Sequence, residues 1–241
     1  MESFFCDFHI HSCLSPCADI TMTPNEIARV CCERGIDWIA ITDHNSAGNV
    51  RVFTEVLKRL GIAVIPGMEI HTLEDVHVLA YFPDISVAEE YSRWLLDEKL
   101  NRIEIDPEIS GYQLYVGEDD SFTSMENIWL GQPALLGIDE AISTVEERGG
   151  VCVLAHVDRK MGLVIQLGFI PENYRDIPVE VSFRESLKKI DLKTDNIIHS
   201  SDAHSLNLVR PTISMMAEKR IFNEFKAALT SGGKRVKIIW D

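Results

Sequence analysis

Short apolar runs and amphipathic stretches alternate along most of the chain. "FFCDFHI" opens the series as a strand candidate. "TPNEIARVCCERG" follows with helical spacing: Thr23 suits an N-cap, Pro24 the first turn, Glu26 completes a capping box, and Gly35 ends the helix. "DWIAIT" is a continuous apolar run of the buried-strand type. "NVRVFTEVLKRLG" is amphipathic and closed by a glycine, "IAVIPG" and "VHVLAYF" predict strands, and "VAEEYSRWLLDEKL" predicts a helix. The pattern then loosens over residues 101–132, where Pro107, Gly111, Gly117 and "GEDD" predict an irregular insertion or cap. Beyond it come a helix in "GIDEAISTVEERGG", strands in "VCVLAH", "PVEVS" and "NIIHSSD", a helix in "AEKRIFNEFKAALTSGG" and a last strand in "RVKIIW". Roughly seven strand–helix units, with no repeat or linker, predict one domain over 1–241: an α/β closed parallel barrel, with an open α/β sheet as the alternative.

Composition sets the class. Of 241 residues, 46% are hydrophobic and 25% charged, as in a globular domain with a sizeable core. No apolar run reaches the length of a membrane helix, and the N-terminus lacks a basic-then-apolar leader; no membrane partner and a cytoplasmic location are expected. The six cysteines show no C-x-x-C spacing and are expected as reduced thiols, with Cys31 and Cys32 packing within a helix. A formal net charge of −15 argues against a general duplex-DNA binder, whose affinity comes largely from lysine and arginine on phosphates. Bound cations can still reverse the local sign around a phosphate. The acidity is uneven: residues 84–126 hold twelve acids and three bases, whereas from Arg210 onward there are seven bases and three acids.

Chemistry collects where polar residues interrupt the apolar runs, in "DFHIH", "ITDHN", "GMEIHT", "DVHVLAY", "VLAHVDR" and "SSDAHS". Each lies at or beside a predicted strand, mostly at its C-terminal end, where barrel enzymes place their active sites. Seven of the eight histidines fall in these six segments. Strand positions i and i+2 share a face, so His9 and His11 can grip one ion together; Asp202 and His204 can do the same, or serve two neighbouring ions if the chain turns. Imidazole with one or two carboxylates suits zinc, manganese or iron. Ions placed close together need a bridging carboxylate, and Glu69, after an apolar run and a Pro-Gly turn, is the candidate. Each motif alone is weak: "SDAH" is also a good helix N-cap, and a lone histidine is usually a hydrogen-bonded core residue. Their joint occurrence at strand ends carries the reading.

The ordered set of H-x-H, "TDH", G-x-E, two later histidines and "SDAH" resembles the PHP (polymerase and histidinol phosphatase) superfamily of metal-dependent phosphoesterases, over nearly the whole chain, and most of all its small stand-alone members. The resemblance implies a distorted (β/α)7 TIM-like barrel with two or three divalent ions. It implies that His9, His11, Glu69 and Asp202 bind a first ion, that Glu69 bridges to a second completed by His77 and His156, and that His44 and His204 bind a third. Asp7 and Asp43 would stand behind the ligands and orient them. One departure stands out. The family has a further His or Asp seven or eight residues after the first histidine, where this chain has Pro16 and Cys17. Either Cys17 ligates as a thiolate, or Asp19 swings in, or the third ion is weakly held or absent.

The expected reaction is hydrolysis of a small phosphorylated substrate by a metal-activated water, with Asp202, Glu69 and His204 at the reaction centre and His204 a candidate proton donor. Arg159 would clamp phosphate oxygens, with Arg184 and Arg210 as weaker candidates. His71, His199 and Cys13 are read as loop, core and packing residues. The competing readings are an exonuclease acting on single-stranded ends and a non-catalytic metal-binding domain.

Overall fold

The computed structural model describes residues 1–240. Its strands are β1 (Glu2–Ile10), β2 (Trp38–Ile41), β3 (Ala63–His71), β4 (His77–Tyr81), β5 (Leu114–Val116), β6 (Phe122–Met125), β7 (Val151–Leu154), β8 (Val179–Glu180), β9 (Ile197–Ile198), β10 (Ile213–Ala217) and β11 (Val236–Ile238). Its α-helices are α1 (Pro24–Arg34), α2 (Val50–Arg59), α3 (Ile85–Trp94), α4 (Pro107–Ser110), α5 (Ile138–Glu147), α6 (Leu163–Leu167), α7 (Ser186–Lys189) and α8 (Phe222–Leu229). Nine strands form one sheet in the order β11-β10-β1-β2-β3-β4-β7-β8-β9. The sheet is rolled into a nearly closed barrel, with β11 lying against β9. A second seam forms where Ile10 bridges Ala203 in parallel.

The barrel is a distorted (β/α) one because half of its neighbours run antiparallel. The link between β3 and β4 is a tight turn, with Thr72 N–H donating to the Val76 carbonyl at 2.9 Å. So short a link permits only a hairpin, since a parallel crossover needs about a dozen residues. At the chain end, β10 pairs antiparallel with β1 and was not foreseen: "ISMMA" merges into the following helix pattern.

Two apolar layers sandwich the sheet. The inner one holds Phe8, Trp38, Leu79, Tyr81 and Val153, closed off by Phe225 of α8, whose ring lies 4.7 Å from Phe8. The outer one packs α1, α2, α3 and α5 onto Ile39, Ile41, Val78 and Leu154. Helix α1 ends as its sequence demands, with Gly35 left-handed at φ 65°. The expected capping box is absent: Thr23 makes no side-chain cap, and Glu26 pairs instead with Arg29 at 2.8 Å. No helix among the described residues is long and apolar enough to cross a membrane. All six cysteines are free thiols.

Residues 101–132 carry α4 and the β5–β6 hairpin and dock on the barrel mouth. Leu114 N–H donates to the Cys13 carbonyl at 2.9 Å, and Asn49 donates to the Leu114 carbonyl at 3.0 Å. Gly111, at φ 90°, sits so close that a Cβ there would lie 1.9 Å from the Pro16 carbonyl oxygen. Gly111→Ala should therefore cost about 1–3 kcal/mol and loosen this docking, whereas Gly61→Ala, equally left-handed but in open space, should cost about 1 kcal/mol. Denaturant titration of the two variants side by side checks the order.

Candidate metal centre

The barrel delivers its polar residues to one rim by three devices. The first is a register shift in β1 between Asp7 and Ile10. Phe8 belongs to the inner apolar layer and Ile10 to the outer one, although positions i and i+2 of a regular strand share a face. The irregularity switches the alternation, so His9 and His11 point inward beside Phe8. The second device is the β3–β4 hairpin. Its register sets His71 opposite His77, so His77, at the start of its strand, shares a rim with Glu69 near the end of β3. The third is a set of strained backbones: Asn45 at φ 49°, His156 at φ 26° and Asp202 at φ 49° are non-glycine residues in left-handed conformations. Each costs roughly 1–3 kcal/mol unless its surroundings impose it. Here they do, since Asn45 N–H donates to the Glu69 carbonyl and the Ala203 carbonyl accepts from His11 N–H.

Glu69 is the hub, and its side chain is 1% exposed. Its Oε1 lies 2.8 Å from His77 Nδ1, 3.0 Å from His156 Nε2 and 3.3 Å from His9 Nε2. Its Oε2 lies 3.0 Å from His44 Nδ1 and 3.3 Å from His11 Nε2. Asp202 Oδ1 approaches the ring nitrogens of His9 and His11 at 3.1 and 3.0 Å. His9 Nε2 and His11 Nε2 stand only 3.1 Å apart.

Three overlapping groups have ligand atoms close enough to hold an ion: His9, His11, Glu69 and Asp202; His44, Glu69 and His77; and His11, His44 and His204. His44 Nδ1 and Asp202 Oδ1 are buried without a hydrogen bond, despite the atoms facing them. Lone pairs converging on a buried point are costly in an apolar setting, and divalent cations satisfy them. Six imidazoles with two carboxylates suit zinc, manganese or iron in type, so the residues fit the ions that the sequence led us to expect.

Behind the cluster stand residues that hold it. Asp43 accepts from Ser12 N–H and from the Ser12 and Ser15 hydroxyls at 2.6–2.7 Å, and Ser15 Oγ is 2.8 Å from His11 Nδ1. Asp7 binds Ser201 N–H at 3.0 Å and so fixes the segment leading to Asp202. Sequence reasoning missed Glu180. It is buried, approaches His9 Nδ1 at 3.0 Å and accepts from His156 N–H at 3.2 Å. Its signal was available, an acid in the middle of the short apolar run "PVEVS".

The charges are strongly coupled. Burial alone would lower the His9 pKa, but Glu180 and Glu69 outweigh it and raise it to about 10. Glu180 would be raised by burial, yet the His9 charge pulls it down to about 2. His44 falls to about 4 because burial outweighs Glu69. Burial, then His11 and His44, lower His204 to about 2. Its imidazole is thus neutral at pH 7, the form in which a histidine binds a metal ion.

The cluster floors a cavity of about 410 Å³ that is also lined by Pro16, Cys17, Trp129, Arg159, Lys160 and Met161. Arg159 reaches Asp202 through its guanidinium, and its loop is bolted down by Asp158, which accepts from Ser182 and Phe183 N–H at 2.8 and 2.9 Å. Arg184 and Arg210 do not line this cavity; Arg184 is exposed elsewhere, and Arg210 is half-buried beside Asp7, where its backbone N–H meets the carboxylate. Cys17 lies exposed on the cavity wall but joins none of the three groups. Asp19 points away: its carboxylate accepts from Thr21 N–H at 2.9 Å and Thr21 Oγ1 at 2.8 Å in a local turn. His11 completes the third group in their place. His71 contacts Asp75 and the Gly131 carbonyl, and His199 the Val181 carbonyl.

Comparison with known proteins agrees with this geometry. A family model described as PHP domain matches residues 7–160. The 5'-3' exoribonuclease Rnm of Escherichia coli is 25% identical in an alignment 194 positions long that covers 64% of this chain and 65% of the relative. The lesion-specific endonuclease PfuEndoQ of Pyrococcus furiosus superposes with a TM-score of 0.71 at 19% identity, over 98% of this chain and 58% of its own. Endonuclease Q bound to a 27-mer duplex with an abasic lesion gives 0.68 at 19% identity, over 97% and 58% of the two chains. This chain thus spans about two thirds or less of the length of these relatives.

These findings correct the expectation of a small phosphorylated substrate and no duplex nucleic acid. A chain of this fold lies on duplex DNA in one of these structures, so the fold itself is compatible with such a partner. Phosphate responds to the local field, set at the cavity by Arg159, Lys160 and whatever cations the cluster gathers. The role of Glu180 is open to a direct check. Glu180→Gln keeps the shape but removes the charge behind His9, and should weaken manganese binding about 10- to 100-fold, read by calorimetric titration.

Proposed function

This chain belongs to the PHP domain family of metal-dependent hydrolases, and from that premise we propose that it cleaves the phosphodiester bonds of nucleic acid, admitting one nucleotide at a time to the cavity. The observation that carries the reading is the divided use of Glu69, one oxygen toward His9, His77 and His156 and the other toward His11 and His44, on the floor of a cavity walled by Arg159 and Lys160. In this reading His9, His11, Glu69 and Asp202 hold one ion, Glu69, His77 and His156 with His44 a second, and His11, His44 and His204 a third. Ions bound there supply a Lewis acid for the phosphoryl oxygens and lower the pKa of a water.

The remaining work belongs to the protein. Arg159 exchanges its partner Asp202 for a phosphoryl oxygen and neutralises charge that builds during attack. Lys160 is exposed and has no ion pair among the described residues, leaving it free for the next phosphate along a strand. A cavity of about 410 Å³ lies toward the small end of ligand sites and suits a single nucleotide, whether it comes from a strand end or is turned out of a duplex. The relatives that act on RNA or DNA support the same substrate class.

The test uses end-labelled RNA and DNA, single-stranded and duplex. Chelation should abolish shortening of the strands, and manganese or zinc should restore it. His9→Ala and Asp202→Ala should lose more than roughly 100-fold in turnover with the fold retained by circular dichroism, since each removes a ligand outright. Arg159→Ala should lose about 10- to 100-fold in kcat/KM, the worth of a charge-assisted hydrogen bond. Undiminished activity after chelation, or release of phosphate from simple monoesters with no shortening of any strand, would overturn the proposal.

A further inference from the structure

We propose that Trp129 is the stacking platform for the nucleobase of the nucleotide that enters the cavity; this rests on the nucleic-acid reading above and names the residue that would sense the base.

Trp129 lines the same cavity as His44, His77 and Arg159. The other three tryptophans are satisfied by protein rings: Trp38 packs edge-on to Phe8, Trp94 against Tyr91 and Trp240 against His199. Trp129 is the one tryptophan with no ring or cation over it among the described residues, although it is only half-buried. A large, open aromatic surface beside charged lining residues such as Arg159 and Lys160 fits a ligand with a π-face and a phosphate.

The backbone that carries the indole is also held in place. The backbone N–H of Trp129 donates to the Ile103 carbonyl at 2.9 Å, and the Trp129 carbonyl accepts from Gln132 Nε2 at 2.8 Å. The buried Asn45, beside His44, grips the carbonyls of Leu130 and Gln132 at 2.8 Å each. Gly131 leaves the space in which the ring edge sits, since a Cβ there would come within 2.7 Å of Trp129 Nε1. The strap that carries the indole is thus fastened to the loop that carries a candidate ligand. A platform fixed at a set position relative to the cluster orders the base without further loss of freedom on binding. Packing of the strap, the ordinary role for such a tryptophan, is already provided by Gln113, Gln132 and Leu130 and does not need an open indole face.

Two measurements on the manganese-loaded protein test this. The first compares binding of adenosine 5'-monophosphate and ribose 5-phosphate by calorimetry. Wild type should prefer the nucleotide by about 5- to 150-fold, the worth of one base–aromatic stack; Trp129→Ala should lose that preference, and Trp129→Phe should keep most of it. The second compares kcat/KM on strands with a normal or an abasic terminal residue. Trp129→Ala should be impaired only on the base-bearing strand. Absence of a base preference in wild type, or equal loss by Trp129→Ala on both members of either pair, overturns the stacking role. If no strand is cleaved while the nucleotide preference is present and depends on Trp129, the nucleic-acid hydrolase reading falls and the stacking platform stands.

Discussion

One buried carboxylate organises this molecule. Glu69 sits in the barrel with five imidazoles within 3.3 Å of its two oxygens. Isolated, such a charge would be driven to neutrality by burial. The surrounding histidines reverse that and hold its pKa well below the ordinary carboxylate range. The reciprocal effect keeps His9 charged in the absence of any other cation, while burial and neighbouring histidines force His44 and His204 neutral. The cluster is consequently short of positive charge for the number of lone pairs it gathers, and that deficit is the physical basis of its affinity for divalent ions.

The architecture serves that point. Short strands with inward-facing aromatic and aliphatic side chains fill the barrel below, and α8 plugs it with Phe225. Above, the connecting segments are fastened by buried polar side chains: Asn45 ties the 129–134 strap to the end of β3, Asp158 ties the Arg159 loop to the residues after β8, and Asp43 ties two serines to the loop behind His11. Each tie satisfies backbone groups that would otherwise be stranded in the interior. Left-handed backbones at His156 and Asp202 are tolerated because these ties leave the chain no other route. A site held this way has its geometry set before any ligand arrives, which suits chemistry that depends on position and charge.

Net charge and the local field at the site are different quantities. Sequence composition reports the sum, and the sum points away from nucleic acid. The distribution around the mouth, with Arg159 and Lys160 beside a cation-hungry cluster, points toward phosphate.

The residue types at the centre were legible in the chain itself, because histidine and carboxylate falling repeatedly at strand ends have no packing explanation, and the barrel class followed from apolar runs alternating with amphipathic helices. Some details were out of reach for identifiable reasons. The irregularity in β1 that turns both His9 and Phe8 inward arises from pairing with β2, and one strand's sequence does not encode its neighbour's register. The antiparallel course of β4, which brings His77 to the rim, depends on the Thr72–Val76 turn closing a hairpin. Cys17, Asp19 or a weakly held ion were the alternatives at the third group; in the fold Asp19 is taken up by its own turn with Thr21 and Cys17 joins no group, whereas His11 comes within ligand distance of His44 and His204. Glu180, 171 residues from His9 along the chain, became a partner only through the β7–β8–β9 run of the sheet. The sequence by itself determined which side chains carry the chemistry, since ligand type is a local property; which of them meet, and what stands behind them, only the tertiary structure decided, because contact between distant residues is a property of the closed sheet.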